Sequence, residues 1–258
     1  MKIFFLVIIL STITFLTSIA QKNIRGQIEY KETMQLDINL DDLGDIPDAA
    51  KAMIPTEHVD NYTLYFDGSE SYCTTTKVEA TNEVDYKSED EDIQIDIRMG
   101  SQERLYYKDL KTKETLEEKD LFGRKFLVKG EAKMKKWKMG LETKEVLGYT
   151  CQKASLTDEE GELTVVWFTN EIPAAVGPMS MNELPGAVLA VNVGEGRYVV
   201  EATRVELGKV VEGVIVKPKK GKKLSQEEFD KVFEEKRKEM NEAYGGKGVI
   251  IKTEIREE

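Results

Sequence analysis

The side chains best suited to catalysis are few in this sequence, and their spacing limits what they could do together. His58 is the only histidine. A histidine-centred triad or a zinc site would have to be assembled around it alone, from partners distant in the chain. It stands in a polar run, Thr56-Glu57-His58, which reads as an ordinary surface position. Two cysteines are present, Cys73 and Cys151. Cys151 as a nucleophile would need His58 or another base carried to it by the fold. A single disulfide between the two and a pair of separate buried thiols both remain open.

Acidic residues are abundant, 48 in all, so no pair stands out as the general acid and base of a glycosidase. Asp37, Asn39, Asp41 and Asp45 loosely follow the spacing of a calcium loop. Such a loop needs glycine at its sixth position, where Asp42 stands, and polar residues where Ile38 and Leu40 stand. Glu89-Asp90-Glu91-Asp92 reads as a solvated run, and Lys217 to Lys223 (KPKKGKK) as a linker, since no aromatic residue interleaves its lysines. No phosphate-binding loop or dinucleotide fingerprint occurs. The expectation is a protein with no catalytic residue, no metal and no cofactor. The formal charge of −11 argues against nucleic acid and anionic membranes as partners.

Residues 1–20 have the form of a removable export signal: Lys2, an apolar run from Ile3 to Leu10, and Ser18-Ile19-Ala20 before Gln21. The apolar run is too short to span a membrane, so an exported, periplasmic or surface protein without a transmembrane segment is expected. Residues 21–258 then form one domain, long enough to bury roughly 70% of the unfolded chain's surface.

Alternation sets the elements. Ile28, Tyr30, Met34 and Leu36 recur at period two, as in a half-buried antiparallel strand. A short helix is expected over Asp48 to Met53. Tyr62 to Phe66 and Ser71 to Ala80 make a hairpin turning at Asp67-Gly68. Asn82 to Asp92 is taken as a loop. Strands follow at Ile93–Met99, Glu103–Asp109, Glu114–Glu118 and Phe122–Val128. Further hairpins turn at Leu147-Gly148, across Asp158 to Gly161, and across Gly194-Glu195-Gly196. One amphipathic helix begins at the capping box Ser225-Gln226-Glu227-Glu228, with Phe229, Val232, Phe233, Met240, Ala243 and Tyr244 on one face and Gly245-Gly246 after it. Val249 to Ile251 is a short terminal strand. There are no internal repeats. The fold class is mainly β: a meandering antiparallel sheet with one C-terminal helix packed on it.

One stretch holds three of the six prolines: Trp167 to Val191, WFTNEIPAAVGPMSMNELPGAVLAV. Its turns fall at Ile172-Pro173, Gly177-Pro178 and Leu184-Pro185-Gly186. With LGYTCQKA (Leu147 to Ala154), WFTNEIP (Trp167 to Pro173), Trp137, and Glu183 to Val188, it resembles the GLPGLI family of exported proteins, known mainly from Bacteroidetes. Weaker likeness extends to Ile24–Leu36, Asp120–Val128 and the Ser225 helix. The first glycine of that signature is Glu183 here, so a positive φ is not expected there. The resemblance implies a curved antiparallel sheet like the half-barrels of periplasmic lipoprotein carriers, and no established activity, cofactor or catalytic residue. It hints at glycan biology, because related modules occur beside secreted glycan-processing enzymes. In the bacterial setting that the resemblance implies, the sequon Asn61-Tyr62-Thr63 is a chance match.

Two functions follow. In one, the sheet binds an apolar or amphiphilic ligand in a pocket lined by Trp167, Met179, Met181 and Leu184, its rim shaped by Pro173, Gly177, Pro178, Pro185 and Gly186. In the other, the protein is a structural or protein-interaction module of the cell envelope. A filled sheet interior would favour the second.

Overall fold

The computed structural model describes residues 24–36, 48–76, 82–87, 94–99, 103–121, 123–132 and 135–243. The export signal, the calcium-like Asp37–Asp45 pattern, the Glu89–Asp92 run, the end of the amphipathic helix at Gly245-Gly246 and the Val249–Ile251 strand lie outside them.

In chain order the elements are β1 (Gly26–Gln35), α1 (Asp48–Lys51), β2 (Glu57–Phe66), β3 (Glu70–Thr75), β4 (Asn82–Lys87), β5 (Gln94–Met99), β6 (Leu105–Asp109), β7 (Glu114–Leu121) and β8 (Arg124–Glu131). They continue with β9 (Lys138–Val146), β10 (Tyr149–Thr157), β11 (Leu163–Thr169), β12 (Ala187–Val193), β13 (Tyr198–Leu207), β14 (Lys222–Ser225) and α2 (Gln226–Ala243). Twelve strands form one open sheet in the order β14-β8-β7-β6-β3-β2-β1-β13-β12-β11-β10-β9, and β4 pairs separately with β5. Every neighbour in the large sheet is antiparallel except β14 on β8. The fold is thus mainly β and not closed into a barrel, with one C-terminal helix.

β1 joins two meanders. It pairs with β2 from Gly26↔Phe66 to Gln35↔Glu57 and with β13 from Gly26↔Leu207 to Met34↔Tyr198. Because side chains alternate across a strand, Gly26, Ile28, Tyr30, Glu32 and Met34 share one face with Phe66, Leu64, Tyr62, Asp60 and His58. That row continues through Cys73, Tyr106 and Lys108 on β3 and β6. Ile28, Tyr30, Tyr62, Leu64 and Phe66 are each at most 2% exposed, each contributing about 1.5–3 kcal/mol by burial. Tyr30 and Tyr62 stack with centroids 5.4 Å apart.

Two segments depart from expectation. Asn82 to Lys87, read as a solvated loop, is β4, because its acidic residues alternate with others along a strand that pairs with β5. The lysine-rich linker is partly ordered: Lys222 to Ser225 add β14 to the sheet edge, and the Lys219 and Lys220 amides donate to Glu118 Oε1 at 3.2 and 3.1 Å. The capping box forms, with the Ser225 amide donating to Glu228 Oε2 at 2.7 Å and the Glu228 amide to Ser225 Oγ at 3.2 Å. Phe229 packs edge-on against Phe126, whereas Phe233 is 43% exposed. The apolar stripe therefore grips the sheet through Phe229 and Val232.

Candidate functional site

The proline-rich stretch is a strap. Between β11 and β12 the chain leaves the sheet at Asn170 and returns at Gly186, and its apolar side chains enter the main core. Ile172, Val176 and Leu184 are 0, 1 and 3% exposed, and Met179 and Met181 pack against them. The strap is tied to β12 by the Ala187 amide donating to Ile172 O at 3.0 Å and the Val188 amide to Val176 O at 2.9 Å. Tyr30 donates its hydroxyl proton to Val188 O at 2.7 Å. Pro173 and Pro185 face outward, and Gly177 and Pro178 are buried.

Two glycines permit this packing by their size. A Cβ on Gly186 would stand 2.0 Å from Thr169 O, and one on Gly177 would stand 2.2 Å from Met181 O. Glu183 corrects the sequence reading at the first signature position, because it does adopt a positive φ, of 74°. The reason is an ion pair. Lys108, on β6 and 0% exposed, donates from Nζ to Asn182 Oδ1 at 2.9 Å and to Glu183 Oε1, while Lys113 Nζ lies 3.3 Å from Glu183 Oε2. Burial pushes the Lys108 ammonium below its ordinary value against the pull of Glu183. Burial also acts to raise the Glu183 carboxyl, but the hydrogen bond and charge of Lys108, with Lys113, outweigh it and hold that group low.

Of the expected pocket lining, Met179, Met181 and Leu184 fill the sheet face. Trp167, half-buried against the same core, pairs with Ala190 in the β11–β12 ladder, and Lys144 Nζ lies 4.9 Å above its ring. Cys73 and Cys151 are both buried and free. Burial pushes their thiols up to about 12 and about 11.

His58 is not a surface residue. It is 9% exposed, on β2, with Nε2 3.2 Å from Asp60 Oδ2. The stretch Thr56-Glu57-His58 reads as polar, yet strand alternation turns His58 inward with Tyr62, Leu64 and Phe66. It belongs to a buried polar cluster. Glu32 and Asp60, 2 and 4% exposed, lie opposite each other in the β1–β2 ladder. Arg104 Nη1 donates to Glu32 Oε1 at 2.8 Å, and its Nη2 is 3.6 Å from Asp60 Oδ2. Tyr198 donates to Glu32 Oε2 at 2.8 Å. Burial works against the Arg104 charge, and the charges of Glu32 and Asp60 outweigh it, raising the guanidinium above its ordinary value. Burial pushes the Tyr62 phenol well up. His58 Nδ1, Asp60 Oδ1 and the Tyr62 hydroxyl are buried with no hydrogen-bond partner. The signal for this cluster was present in the sequence: Glu32 has the parity of Ile28 and Tyr30, and His58 and Asp60 have that of Tyr62.

A family model described as N-glycanase peptide, N-terminal domain, matches residues 54–230. Two solved structures resemble the fold. The structure of PNGF-II in a C2 space group aligns with TM-score 0.53 and 16% identity, covering 83% of this chain and 33% of that one. PNGF-II in a P21 space group aligns with TM-score 0.51 and 15% identity, covering 83% and 34%. This chain spans about a third of the length of the structures it matches. No curated protein sequence gives a significant match. These findings overturn the resemblance to the GLPGLI family. The segments that carried it, Leu147 to Ala154, Trp167 to Pro173 and Glu183 to Val188, all fall within the matched N-glycanase region. They are hairpin turns and apolar strand starts, a chemistry that antiparallel sheets of many families share.

Proposed function

Because the chain belongs to the family of N-glycanase peptide N-terminal domains, we propose that it serves N-glycan processing as an exported, non-catalytic docking module that holds a glycoprotein. The carrying observation is the strap. Ile172, Val176 and Leu184 occupy the sheet face where an apolar ligand would have bound, so recognition falls to the outer surfaces. The buried cluster around His58 supports the same reading. Contacts of His58 with Asp60, and of Arg104 with Glu32 and Asp60, tie these groups into the fold. Export is supported by the apolar run that opens the sequence, and the net charge of −11 disfavours nucleic acid as partner.

The test uses an N-glycosylated protein and the same protein stripped of its glycans, each passed over the immobilised chain. Retention of the glycosylated form alone is expected, with no free glycan detected by mass spectrometry. Equal retention of both forms, or of neither, defeats the docking reading. Released glycan defeats the non-catalytic one, and co-purified lipid in native mass spectrometry would restore the apolar-ligand alternative.

A further inference from the structure

A shallow depression of about 220 Å³ lies between the β9–β10 turn and the β12–β13 pair. Ala190 forms part of its floor, and Lys144, Glu145, Val146, Leu147 and Glu201 surround it. The floor follows from the ladder. Trp167, Ala190 and Glu201 are consecutive across β11, β12 and β13, so the small alanine makes a notch between two large side chains. Trp167 stands beside Ala190 in the ladder, and Lys144 sits over its ring.

The rim is unusual in its charges. Nearby, Lys153 pairs with Glu142, and Arg204 with Glu29 and Glu206. Among the described residues, Glu145 and Glu201 have no ion-pair partner within the same distance, and Lys144 rests on an aromatic face instead of a carboxylate. The turn itself is held in an uncommon conformation. Leu147 adopts φ 53° ahead of Gly148 at 82°, a backbone that branched and bulky residues avoid. That conformation sets the Leu147 side chain at the lip of the depression.

We infer that this depression is a binding subsite for a single neutral sugar ring. Two carboxylates and one ammonium supply acceptors and a donor to hydroxyl or acetamido groups, while the alanine floor receives the apolar face of a ring. An anion would meet two carboxylates, and a purely apolar ligand would leave three charges unsatisfied. The subsite rests on the glycoprotein-docking reading and names where the glycan would sit.

The test titrates N,N′-diacetylchitobiose and, separately, the glycosylated protein into the wild type and into the double variant Lys144→Ala/Glu201→Ala. Binding is read by calorimetry and by the fluorescence of the two tryptophans. Both side chains altered, Lys144 and Glu201, are exposed, so the variant should melt within a degree or two of wild type. At least tenfold weaker binding of both probes by the variant is the expected result. Equal binding by wild type and variant removes the subsite and leaves the docking reading intact. Disaccharide binding that the variant loses, without any retention of glycoprotein, keeps the subsite and removes the docking reading. Wild type that binds neither probe removes both.

Discussion

Glu32 and Asp60 face one another across the β1–β2 ladder, both almost wholly buried, and one guanidinium, that of Arg104, reaches both carboxylates. Like charges directly opposite in a sheet repel, and in a buried place the repulsion is little screened. The pair is held by Arg104 standing between the two, with His58 beside Asp60 Oδ2 and Tyr198 donating to Glu32 Oε2.

Arg104→Met should therefore destabilise the fold by about 2–4 kcal/mol, less than for a wholly buried pair because the arginine side chain is 38% exposed. Urea denaturation at neutral pH reads this directly. Adding Glu32→Gln to Arg104→Met should restore much of the loss, since it removes the charge left uncompensated. No restoration would mean that Arg104 acts by packing alone.

Gly186 is needed for space rather than for a left-handed backbone. Gly186→Val places branched carbon against Thr169 O, where even a Cβ would stand 2.0 Å away, and should cost about 3 kcal/mol or more. Gly186→Ala should already destabilise measurably. A melting temperature unchanged in Gly186→Ala would show that the strap can shift without cost. Truncating the strap itself, as in Leu184→Ala, should cost about 2–5 kcal/mol, because Leu184 is 3% exposed within the main core.

Much of the sheet was legible in the sequence because its signals are local. Alternation located β1 and β10 to β13, and glycine turns located the hairpins between them. Pairing across distance has no such signal. Nothing in the spacing of Ile28 or Tyr30 says that β1 joins β2 to β13, or that β6 lies beside β3. The buried cluster was half legible. Glu32, His58 and Asp60 have inward parity, but polar residues at inward positions resemble a strand's end. Arg104, which explains their burial, comes from a segment 72 residues after Glu32. Glu183 was misjudged for the same reason: its positive φ is imposed by Lys108, 75 residues earlier in the chain.

Cys73 and Cys151 should be inert in the folded protein. Burial raises their thiols to about 12 and about 11, and the thiolate is the reactive form. At pH 8, iodoacetamide should label neither residue in the native state and both in urea, each adding one carbamidomethyl group by mass. Failure to label in urea without reductant would reveal a disulfide. Rapid native labelling of Cys73 would show that the strap opens often.

The Lys108–Glu183 pair should give the strap an acid-sensitive hold. Glu183 has its carboxyl held below the ordinary value of 4.5, so the folded state binds its proton less readily than the unfolded chain does. Stability from this group is present above about that ordinary value, and is lost as pH falls through the lowered one. Glu183→Gln should cost about 3–5 kcal/mol at neutral pH, because it leaves the wholly buried Lys108 without its counter-charge. Glu183→Gly should cost less than Glu183→Gln, since glycine relieves the φ of 74° even as it forfeits the pair. The double variant Lys108→Met/Glu183→Gly removes both the buried charge and the strained residue, and should be near wild type in stability at pH 7. Urea midpoints measured from pH 7 down to pH 3 separate these effects. Wild type should lose more stability over that range than the double variant, and parallel curves for the two would show that the pair does not hold the strap.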